Sequence, residues 1–440
     1  MKSIPSLVRG QGRLMASLAP QVIASVDIGS VKTACLIAEW NPGKKAADGD
    51  VRPGLKILGH GQTVSRGVKS GAIADIAEAE KSIRVAVDAA ERMARTTIRA
   101  VYVNVSGGRN LTAMATAAVK TQTGVVGQGD IDTVISQAIA SADIGKRHVL
   151  HLLPACYGID GVESAQAPLG MHGEVLSAGI AVVTMDPAPL HNLRMAVERS
   201  HLGLEGVSLT AYAAAKSVLA ADEMDLGTIV LDMGGCTTNI AIFRHGKLVA
   251  SATVPLGGQH ITNDIAHGLQ TTVVHAERLK TLFGSVMGNG HDEREMLAVP
   301  LLGERGVDTV QKVPKHVLTS IIVPRVDELL QHVHHMLNEG PLAGHLSNRI
   351  VVTGGASQLH GIREFASARL GLPVRLGSPL QFQNMPDMVR SGTYATAAGL
   401  LVAATEPQAT CDMPQEARMA IDRSQMTYAR RVGKWLAEAF

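Results

Sequence analysis

The sequence predicts an α/β fold made of two lobes, and three observations lead to this prediction. The 440 residues are too many for a single hydrophobic core. Hydrophobic residues make up 46% of the chain and charged residues 18%, which is the balance of a globular protein. Apolar stretches typical of strands end in glycine-rich turns and alternate with amphipathic helical stretches, as in proteins that combine sheets and helices.

The composition also argues against several classes of protein. The formal net charge of +2 gives no reason to expect a nucleic-acid partner. The sequence has no run of about 18 apolar residues, so we expect no membrane-spanning helix. The four cysteines lie far apart and form no zinc or redox spacing, which favours a reducing cytoplasm. Aromatic residues are only 3% of the chain, so we expect an aliphatic, alanine-rich core.

The elements of the first part follow from residue patterns. Residues 1–20 are typical of a loose basic tail, and a strand, a glycine turn and a second strand begin at residue 21. A helix is predicted over 75–95 because its apolar residues recur on one face, and Asp75 is its expected N-cap. A short strand over 100–107 follows.

The later elements are interrupted by an inserted block. Residues 108–186 combine short strands of alternating polarity with a helix near 130–142. After them the earlier pattern of apolar strands and amphipathic helices resumes. The strand–turn–strand pattern then recurs over 228–250. The remaining predictions are helices over 187–202, 210–221, 361–370 and 393–404, and strands over 228–235 and 349–353.

Three glycine turns, each placed after an apolar strand, carry the chemistry of the sequence. A phosphate chain needs backbone N–H groups close to it, and glycine allows that approach because it has no Cβ. A carboxylate beside the phosphates would hold the water shell of a magnesium ion. Two hairpins that open with aspartate would grip phosphates from opposite sides, and the third turn would pack against a nucleobase. The turns occupy residues 27–30, 232–238 and 353–357.

The order of these turns, without a P-loop sequence, resembles the superfamily of actin, sugar kinases and heat-shock chaperones. The similarity to the FtsA family of bacterial cell-division proteins is much closer and extends over nearly the whole chain. It implies an actin-like, two-lobed α/β fold with an inserted subdomain, called 1C, and a C-terminal amphipathic helix. The segments that carry the resemblance are VDIGSVKT (26–33), SRGVKSGAI (65–73), VYVNVSG (101–107), HVLHLLPACYGIDG (148–161), AVERSHLGLEGV (196–207), VLDMGGCTTNIAIF (230–243), AERLK (276–280) and VVTGGASQLHGI (351–362).

The resemblance also implies a division into subdomains. The family uses subdomain 1C for contacts with neighbouring protomers and with later division proteins. The implied parts are a flexible tail (1–20), subdomain 1A (21–107 and 187–214), subdomain 1C (108–186), subdomain 2A (215–255 and 326–404), subdomain 2B (256–325), a linker (405–424) and a membrane-targeting helix (425–440).

ATP and Mg²⁺ are the ligands that the resemblance implies. Asp27 and Asp232 would lie near the phosphates and hold Mg²⁺ through water. The rest of the implied set consists of Gly29, Ser30 and Lys32 on one side of the phosphates, Gly234, Gly235 and Thr237 on the other, and Glu277, Lys280, Gly354 and Gly355 around the adenosine.

The sequence departs from this pattern at two points. Cys236 stands where the family usually has a third glycine, so its side chain is expected to crowd the phosphate hairpin. Actin-fold ATPases often carry Gln or Glu about 17 residues before the second aspartate, where that side chain orients the attacking water. Here the stretch 212–216 reads YAAAK, so we expect slow ATP turnover at most.

The resemblance implies a protein partner as well. The segment VPRVDELL (323–330) is similar to the part of subdomain 2B that receives the acidic, apolar C-terminal tail of FtsZ. A cation beside an apolar groove suits such a peptide. Arg325 and Glu328 are the candidate contacts, although the same residues would also form an ion pair one turn apart on a helix.

The last segment reads as a membrane-surface helix. Residues 405–424 have linker composition, and in 425–440 apolar residues recur on one helical face with basic residues beside it. The predicted membrane residues are Tyr428, Arg430, Arg431, Val432, Lys434, Trp435, Leu436 and Phe440.

These features together predict an ATP-binding protein that polymerises, anchors FtsZ to the inner face of the cytoplasmic membrane and recruits later division proteins. A pilus-assembly ATP-binding protein of the PilM type is the first alternative, because it shares the 1C-like insertion. A sugar-kinase-like phosphotransferase would need a catalytic aspartate and a sugar pocket, for which the sequence offers no candidate. A chaperone would need a separate substrate domain, and residues 405–440 are too short for one.

Overall fold

The computed structural model describes residues 20–42, 54–107, 109–164, 168–288, 293–303, 310–345 and 347–405. Nearly all of the predicted N-terminal tail and linker, and the whole predicted helix over 425–440, lie outside these residues. The predicted membrane residues are therefore outside them too. These are Tyr428, Arg430, Arg431, Val432, Lys434, Trp435, Leu436 and Phe440.

The described chain forms two compact units. The larger takes most of its residues from the stretch up to Asn110, from Asp186–Gly246 and from Ser251–Thr405. Residues Leu111–Met185 make up most of the smaller unit. No helix among the described residues has the length and apolar character needed to cross a membrane.

The larger unit begins with a mixed parallel and antiparallel sheet covered by a long helix. Asp75 caps that helix as predicted, because its carboxylate accepts hydrogen bonds from the N–H groups of Ala77 and Glu78. The elements are β1 (Gln21–Ile28), β2 (Lys32–Trp40), β3 (Leu55–Val64), β4 (Val68–Lys69), β5 (Ala72–Ile73), α1 (Ile76–Ala94) and β6 (Ala100–Val105).

The smaller unit is a four-stranded sheet with one helix on its face. The core between them is aliphatic, with Ile131, Val134 and Ile180 fully or almost fully buried. The strand order is β7-β10-β8-β9. The elements are β7 (Leu111–Lys120), α2 (Gln128–Ser141), β8 (His148–Ile159), β9 (Val162–Ser164) and β10 (Val175–Met185).

The larger unit then continues with a second sheet and the helices around it. Three short 3₁₀ segments lie at Gly355–Gln358, Asp387–Arg390 and Gly392–Tyr394. The elements are α3 (Pro187–Arg199), β11 (Gly203–Leu209), α4 (Thr210–Val218), α5 (Ala221–Leu226), β12 (Thr228–Met233), β13 (Thr238–Arg244), β14 (Lys247–Val254), α6 (Gly258–Gly268), α7 (Val273–Phe283), β15 (Met296–Pro300), β16 (Val310–Pro314), α8 (Lys315–Asn338), β17 (Ile350–Thr353), α9 (Ile362–Leu370), β18 (Val374–Leu376) and α10 (Ala395–Thr405).

The two large sheets have the same topology. The first has the order β3-β2-β1-β6-β11 and the second β14-β13-β12-β17-β18. In each, the central strand pairs antiparallel with the next strand of a hairpin and parallel with a later strand. The hairpin turns that follow β1 and β12 are therefore equivalent, which places the two aspartate turns of the sequence in matching positions.

The helix predicted over 210–221 is wrong only at its C-terminal end. The chain is extended at Leu219 and Ala220, so α4 ends at Val218 and α5 begins at Ala221. The break is stabilised locally, because the Glu223 carboxylate accepts a hydrogen bond from the Ala220 N–H at 3.1 Å. Leu219 is meanwhile fully buried.

Candidate functional site

A cavity of about 460 Å³ in the larger unit brings the three glycine turns together. The turns after β1, β12 and β17 all contribute to its lining. Every residue predicted to lie near phosphate, Mg²⁺ or adenosine is among the lining residues, namely Asp27, Gly29, Ser30, Lys32, Asp232, Gly234, Gly235, Thr237, Glu277, Lys280, Gly354 and Gly355.

The turn between β1 and β2 is closed by backbone hydrogen bonding. The Gly29 N–H donates to the Lys32 carbonyl at 3.0 Å. Behind the turn, the Ile28 N–H donates to Asn104 Oδ1 at 2.8 Å, and the same side chain hydrogen-bonds the Asp27 carboxylate. Asn104 therefore holds Asp27 at the end of β1.

Ser30 and Lys32 are also held by neighbouring chain segments. The Gly71 N–H donates to Ser30 Oγ at 3.0 Å. The Lys32 ammonium donates to the Thr393 carbonyl at 2.7 Å and lies 3.8 Å from the centroid of the Tyr394 ring. These contacts fix the ammonium beside the cavity through a hydrogen bond and a cation–π contact.

The turn between β12 and β13 repeats this arrangement. The Gly234 N–H donates to the Thr237 carbonyl at 2.8 Å. Asn239 Nδ2 donates to Asp232 Oδ2 at 3.4 Å, and Asn239 Oδ1 accepts from Thr253 Oγ1 at 3.1 Å. Each aspartate thus has one asparagine partner. The side-chain Oδ1 of that asparagine accepts a hydrogen bond from another group, so its Nδ2 is turned toward the carboxylate.

The third turn approaches the second aspartate closely. Gly354 has a φ of +89°, in the region that favours glycine. A Cβ at this position would lie 2.5 Å from both Asp232 Oδ1 and the Met233 carbonyl oxygen. The Gly354 N–H donates to the Gly392 carbonyl at 3.2 Å. Only glycine therefore fits this turn without displacing Asp232.

The cavity concentrates buried charge. Burial raises the pKa of Asp27 to about 6, against the opposing effect of Lys32. Burial and then the charge of Asp27 raise the pKa of Asp232 to about 7. Burial lowers the pKa of Lys32, and both aspartates oppose that change. Two carboxylates beside one ammonium leave negative charge that a bound cation would neutralise.

The donor set fits magnesium held through water better than a metal held by protein ligands alone. In the part of the chain that the structure describes, no group of three or more His, Cys, Asp or Glu side chains is placed to hold a metal ion. Magnesium retains much of its water and takes one or two carboxylates together with phosphate oxygens. Asp27 and Asp232 meet that requirement.

Two of the four predicted adenosine residues, Glu277 and Lys280, form an ion pair. Glu277 and Lys280 both line the cavity, and the Lys280 ammonium donates to Glu277 Oε2 at 2.7 Å. The Lys280 side chain is 12% exposed and that of Glu277 is 43% exposed. Glu277 is therefore the more accessible member of the pair.

Cys236, which is expected from the sequence to crowd the phosphate hairpin, lies outside the set of residues that line the cavity. It is half-buried, although Gly235 and Thr237 on either side of it do line the cavity. The hairpin accommodates the thiol without placing it among the lining groups. In α4, Ala213, Ala214 and Ala215 are buried, and the helix contributes only Thr210 to the lining.

The predicted peptide-binding residues lie away from the cavity lining and contact each other. Arg325 donates through Nε and Nη2 to the Asp264 carboxylate, at 2.6 Å and 3.1 Å, and also donates to Glu328. Their side chains are 28% and 45% exposed. Helix α8 passes through both residues and continues across the predicted 2B–2A boundary at 325 without a break.

Sequence reasoning missed several polar residues of the lining. Asn104 Nδ2 donates to Thr210 Oγ1 at 3.2 Å, and the hydroxyl groups of Ser106 and Thr210 are 2.8 Å apart. Asn239 of β13 also lines the cavity and bonds Asp232, although it comes from the hairpin partner strand, where the first hairpin has Ala34. A signal was present for Asn104 and Ser106, because ligands bind near the carboxyl ends of parallel strands and these residues end the strand beside β1.

The chain matches two protein families. Residues 229–399 match the family described as cell division protein FtsA. Residues 109–184 match the family described as the SHS2 domain inserted in FtsA.

Relatives named cell division protein FtsA are similar over nearly the full length. The protein from Rhizobium meliloti (strain 1021) is 38% identical over 95% of this chain and 95% of its own length. The protein from Agrobacterium fabrum (strain C58) is 36% identical over 97% of this chain and 96% of its own length. The protein from Escherichia coli (strain K12) is 30% identical over 96% and 98%, respectively.

Two solved structures share the fold at low identity. A chain of the PilM–PilN type IV pilus biogenesis complex matches with a TM-score of 0.58 and 15% identity, over 88% of this chain and 99% of its own. MreB5 of Spiroplasma citri, solved bound to ADP, matches with a TM-score of 0.52 and 15% identity, over 89% and 98%.

The duplicated sheets and the inserted domain define an actin-like protein with an SHS2 insertion. The relatives that match over nearly the whole chain then decide the family. This chain belongs to the FtsA family of cell division proteins. The predicted actin-like fold with an inserted domain and the predicted family are confirmed, and the likeness to the PilM complex is one of fold alone.

Proposed function

We propose that this protein is an ATP-binding adaptor of the bacterial division machinery. It binds ATP with Mg²⁺ and self-associates into filaments. It binds the cytoplasmic face of the inner membrane at the division site as a peripheral protein, and it recruits FtsZ. Later division proteins bind the inserted domain, and subdomains 1A, 1C, 2A and 2B divide the chain as the resemblance implies.

A single observation carries the nucleotide proposal. Two equivalent hairpins place Asp27 and Asp232 at one cavity, and the third glycine turn closes on Asp232. Gly29, Ser30 and Lys32 would hold one side of a phosphate chain, and Gly234, Gly235 and Thr237 the other. Bound Mg²⁺ would neutralise the two carboxylates and the phosphates. A structure of the same fold, MreB5 of Spiroplasma citri, was solved with ADP, which supports a nucleotide as the ligand.

ATP would act as a conformational ligand more than as fuel. The lining has no Gln or Glu from the 212–216 stretch, and Thr210 is the residue of α4 that reaches it. A hydroxyl group is a weaker means of orienting an attacking water than a carboxylate or an amide. We therefore expect turnover far below that of a metabolic kinase.

The nucleotide proposal is tested by photolabelling with 8-azido-ATP and peptide mapping. Label is expected on peptides that contain residues 277–281 or 354–359, and excess ATP with Mg²⁺ should suppress it. Label spread over the surface, or label that ATP does not suppress, would reject the cavity as the nucleotide site.

Arg325 is the proposed contact for the acidic FtsZ tail. Its guanidinium is partly exposed and is already bonded to Asp264 and Glu328. A carboxylate of the tail would replace Asp264 or Glu328 as a partner of Arg325. The peptide would then gain a charge-assisted hydrogen bond, and no other cation would need to become exposed.

Residues 425–440 are the proposed membrane contact. Their basic and apolar residues at helical spacing suit a bilayer surface with anionic lipids. One such segment binds weakly, so linked protomers in a filament would increase the time spent on the membrane.

Liposome flotation with FtsZ and ATP tests this assembly, using the full chain and a version that ends at Gln425. We expect FtsZ to float only with the full chain. If the full chain floats while FtsZ stays behind, the partner is wrong. If neither floats, the membrane contact is wrong.

A further inference from the structure

The Lys280 ammonium has no N–H group left for a ligand. Its Nζ donates to the Gly258 carbonyl at 3.0 Å, to Thr262 Oγ1 at 2.7 Å and to Glu277 Oε2 at 2.7 Å. An ammonium group has three donors, and all three are directed at protein atoms. The side chain is only 12% exposed, so these bonds are shielded from water.

The bond to Gly258 leads directly to the phosphate hairpin. The Gly258 N–H donates to the Gly234 carbonyl at 2.9 Å, and the Gln259 N–H donates to the Gly235 carbonyl at 2.7 Å. Lys280 therefore binds the carbonyl group of Gly258, while the N–H group of Gly258 binds the turn after β12.

The junction of Gly257 and Gly258 leaves no space for movement. A Cβ on Gly257 would lie 2.5 Å from the Gly234 carbonyl oxygen, and a Cβ on Gly258 would lie 3.1 Å from the Ala356 Cβ. The junction thus contacts the second hairpin and the third turn at once. A displacement of Gly258 would be passed to both, because closely packed groups shift together.

We propose that Lys280 is a positioning residue, which holds the hairpin 234–237 in its phosphate-binding form through the Gly257–Gly258 junction and does not contact the nucleotide. Glu277, the more exposed member of the pair, is left to face the nucleoside. The inference rests on the proposed nucleotide site for its functional meaning. The coupling between Lys280 and the hairpin is independent of any ligand.

Amide hydrogen exchange on the nucleotide-free full chain tests the coupling itself. In Lys280→Met, the amides of Gly258 and Gln259 should exchange at least about tenfold faster, because the segment that carries them loses its anchor. The matched control is Lys315→Met, which removes a similar partly buried pair, Lys315 with Glu295 at 2.8 Å. It should leave these amides unchanged. Lys280→Gln replaces the methionine variant if that one does not fold.

A double-mutant cycle on ATP affinity tests the consequence. If Lys280 acts through the hairpin, Lys280→Met and Thr237→Ala remove the same ordering, so their combined loss falls short of the product of the single losses. Lys32 is on the other hairpin, so the losses of ATP affinity in Lys280→Met and Lys32→Met should multiply in the double variant. Unchanged exchange at Gly258, or losses that multiply in both cycles, would overturn the proposal and assign Lys280 to the nucleotide. If the wild type binds no ATP, the proposed function fails, and hydrogen exchange still decides the role of Lys280.

Discussion

Asp232 and Asp27 lie close enough that, in addition to burial, the negative charge of Asp27 raises the pKa of Asp232 to about 7. Each carboxylate is supported by an asparagine, Asn104 or Asn239. The fold therefore maintains two acidic groups together at some cost to its own stability above neutral pH. Such a pair is typical of a site that receives a cation.

The nucleotide-free protein should lose stability as the pH rises. A carboxyl group with a raised folded-state pKa contributes stability that is complete below its unfolded pKa and is lost as the pH passes through its folded pKa. The pKa values of Asp27 and Asp232 are raised from 3.8 to about 6 and about 7, so this loss falls between about pH 4 and pH 7. One pKa unit corresponds to about 1.4 kcal/mol, so we expect the free energy of unfolding to fall by several kcal/mol over this range.

Urea unfolding at a series of pH values measures this effect. Asp232→Asn should flatten most of the dependence, and ATP with Mg²⁺ should oppose the loss in the wild type. A stability that rises from about pH 4 to pH 7, or the same slope in Asp232→Asn, would contradict the proximity of the two carboxylates.

Replacing Gly354 by alanine should disrupt both folding and binding. The new Cβ would lie 2.5 Å from Asp232 Oδ1 at a φ of +89°. Gly371→Ala is the matched control, since Gly371 has a φ of +68° and open space around its Cβ position. The control should lose only the backbone cost of about 1–2 kcal/mol. Gly354→Ala should lose about 2 kcal/mol more and bind ATP at least about tenfold less tightly. Equal losses in the two variants, by urea unfolding and ATP titration, would argue against the close approach.

Restoring the glycine that the family usually has at Cys236 should change ATP affinity little. Because the Cys236 side chain is not among the lining groups, Cys236→Gly should stay within about twofold of the wild type. The added backbone freedom should lower the free energy of unfolding by about 0.5–1 kcal/mol. A tenfold gain in affinity would instead show that the thiol obstructs the phosphates.

Removing Arg325 should weaken FtsZ recruitment and leave ATP affinity unchanged. Arg325→Ala deletes the partly exposed guanidinium, and we expect at least about a tenfold loss in binding of an FtsZ-tail peptide. Arg369→Ala is the control, because it removes another ion pair of α8, that of Arg369 Nε with Asp327 Oδ1 at 2.7 Å. Peptide titration followed by fluorescence anisotropy separates the two. The same loss in both variants would indicate a general effect on α8.

The sequence was sufficient to predict the three turns and their meeting at one site. Asp27 and Asp232 each stand one residue before the end of an apolar strand and two residues before a glycine. The sequence therefore predicts both turns, because turn formation depends mainly on neighbouring residues. The helix after Asp75 followed from the same kind of local signal.

Tertiary packing decided what the sequence did not show. The bond between Asn104 and Thr210 depends on β6 lying between β1 and β11, and although the end of a strand hinted at Asn104, no local pattern identifies those neighbours. The family resemblance implies a place for Lys280 beside adenosine, and the packing of α7 on α6 directs its ammonium to Gly258, which the sequence does not show. The end of α4 depends on the burial of Leu219, which a run of alanines does not reveal.

Isothermal titration of the full chain with ATP, with and without Mg²⁺, shows whether the cavity binds ATP through Mg²⁺. We expect one ATP per chain, an affinity at least about tenfold weaker without Mg²⁺, and a comparable loss in Asp232→Asn even when Mg²⁺ is present. Absence of binding by the wild type, or an affinity that neither Mg²⁺ nor Asp232→Asn changes, would contradict this mode of binding.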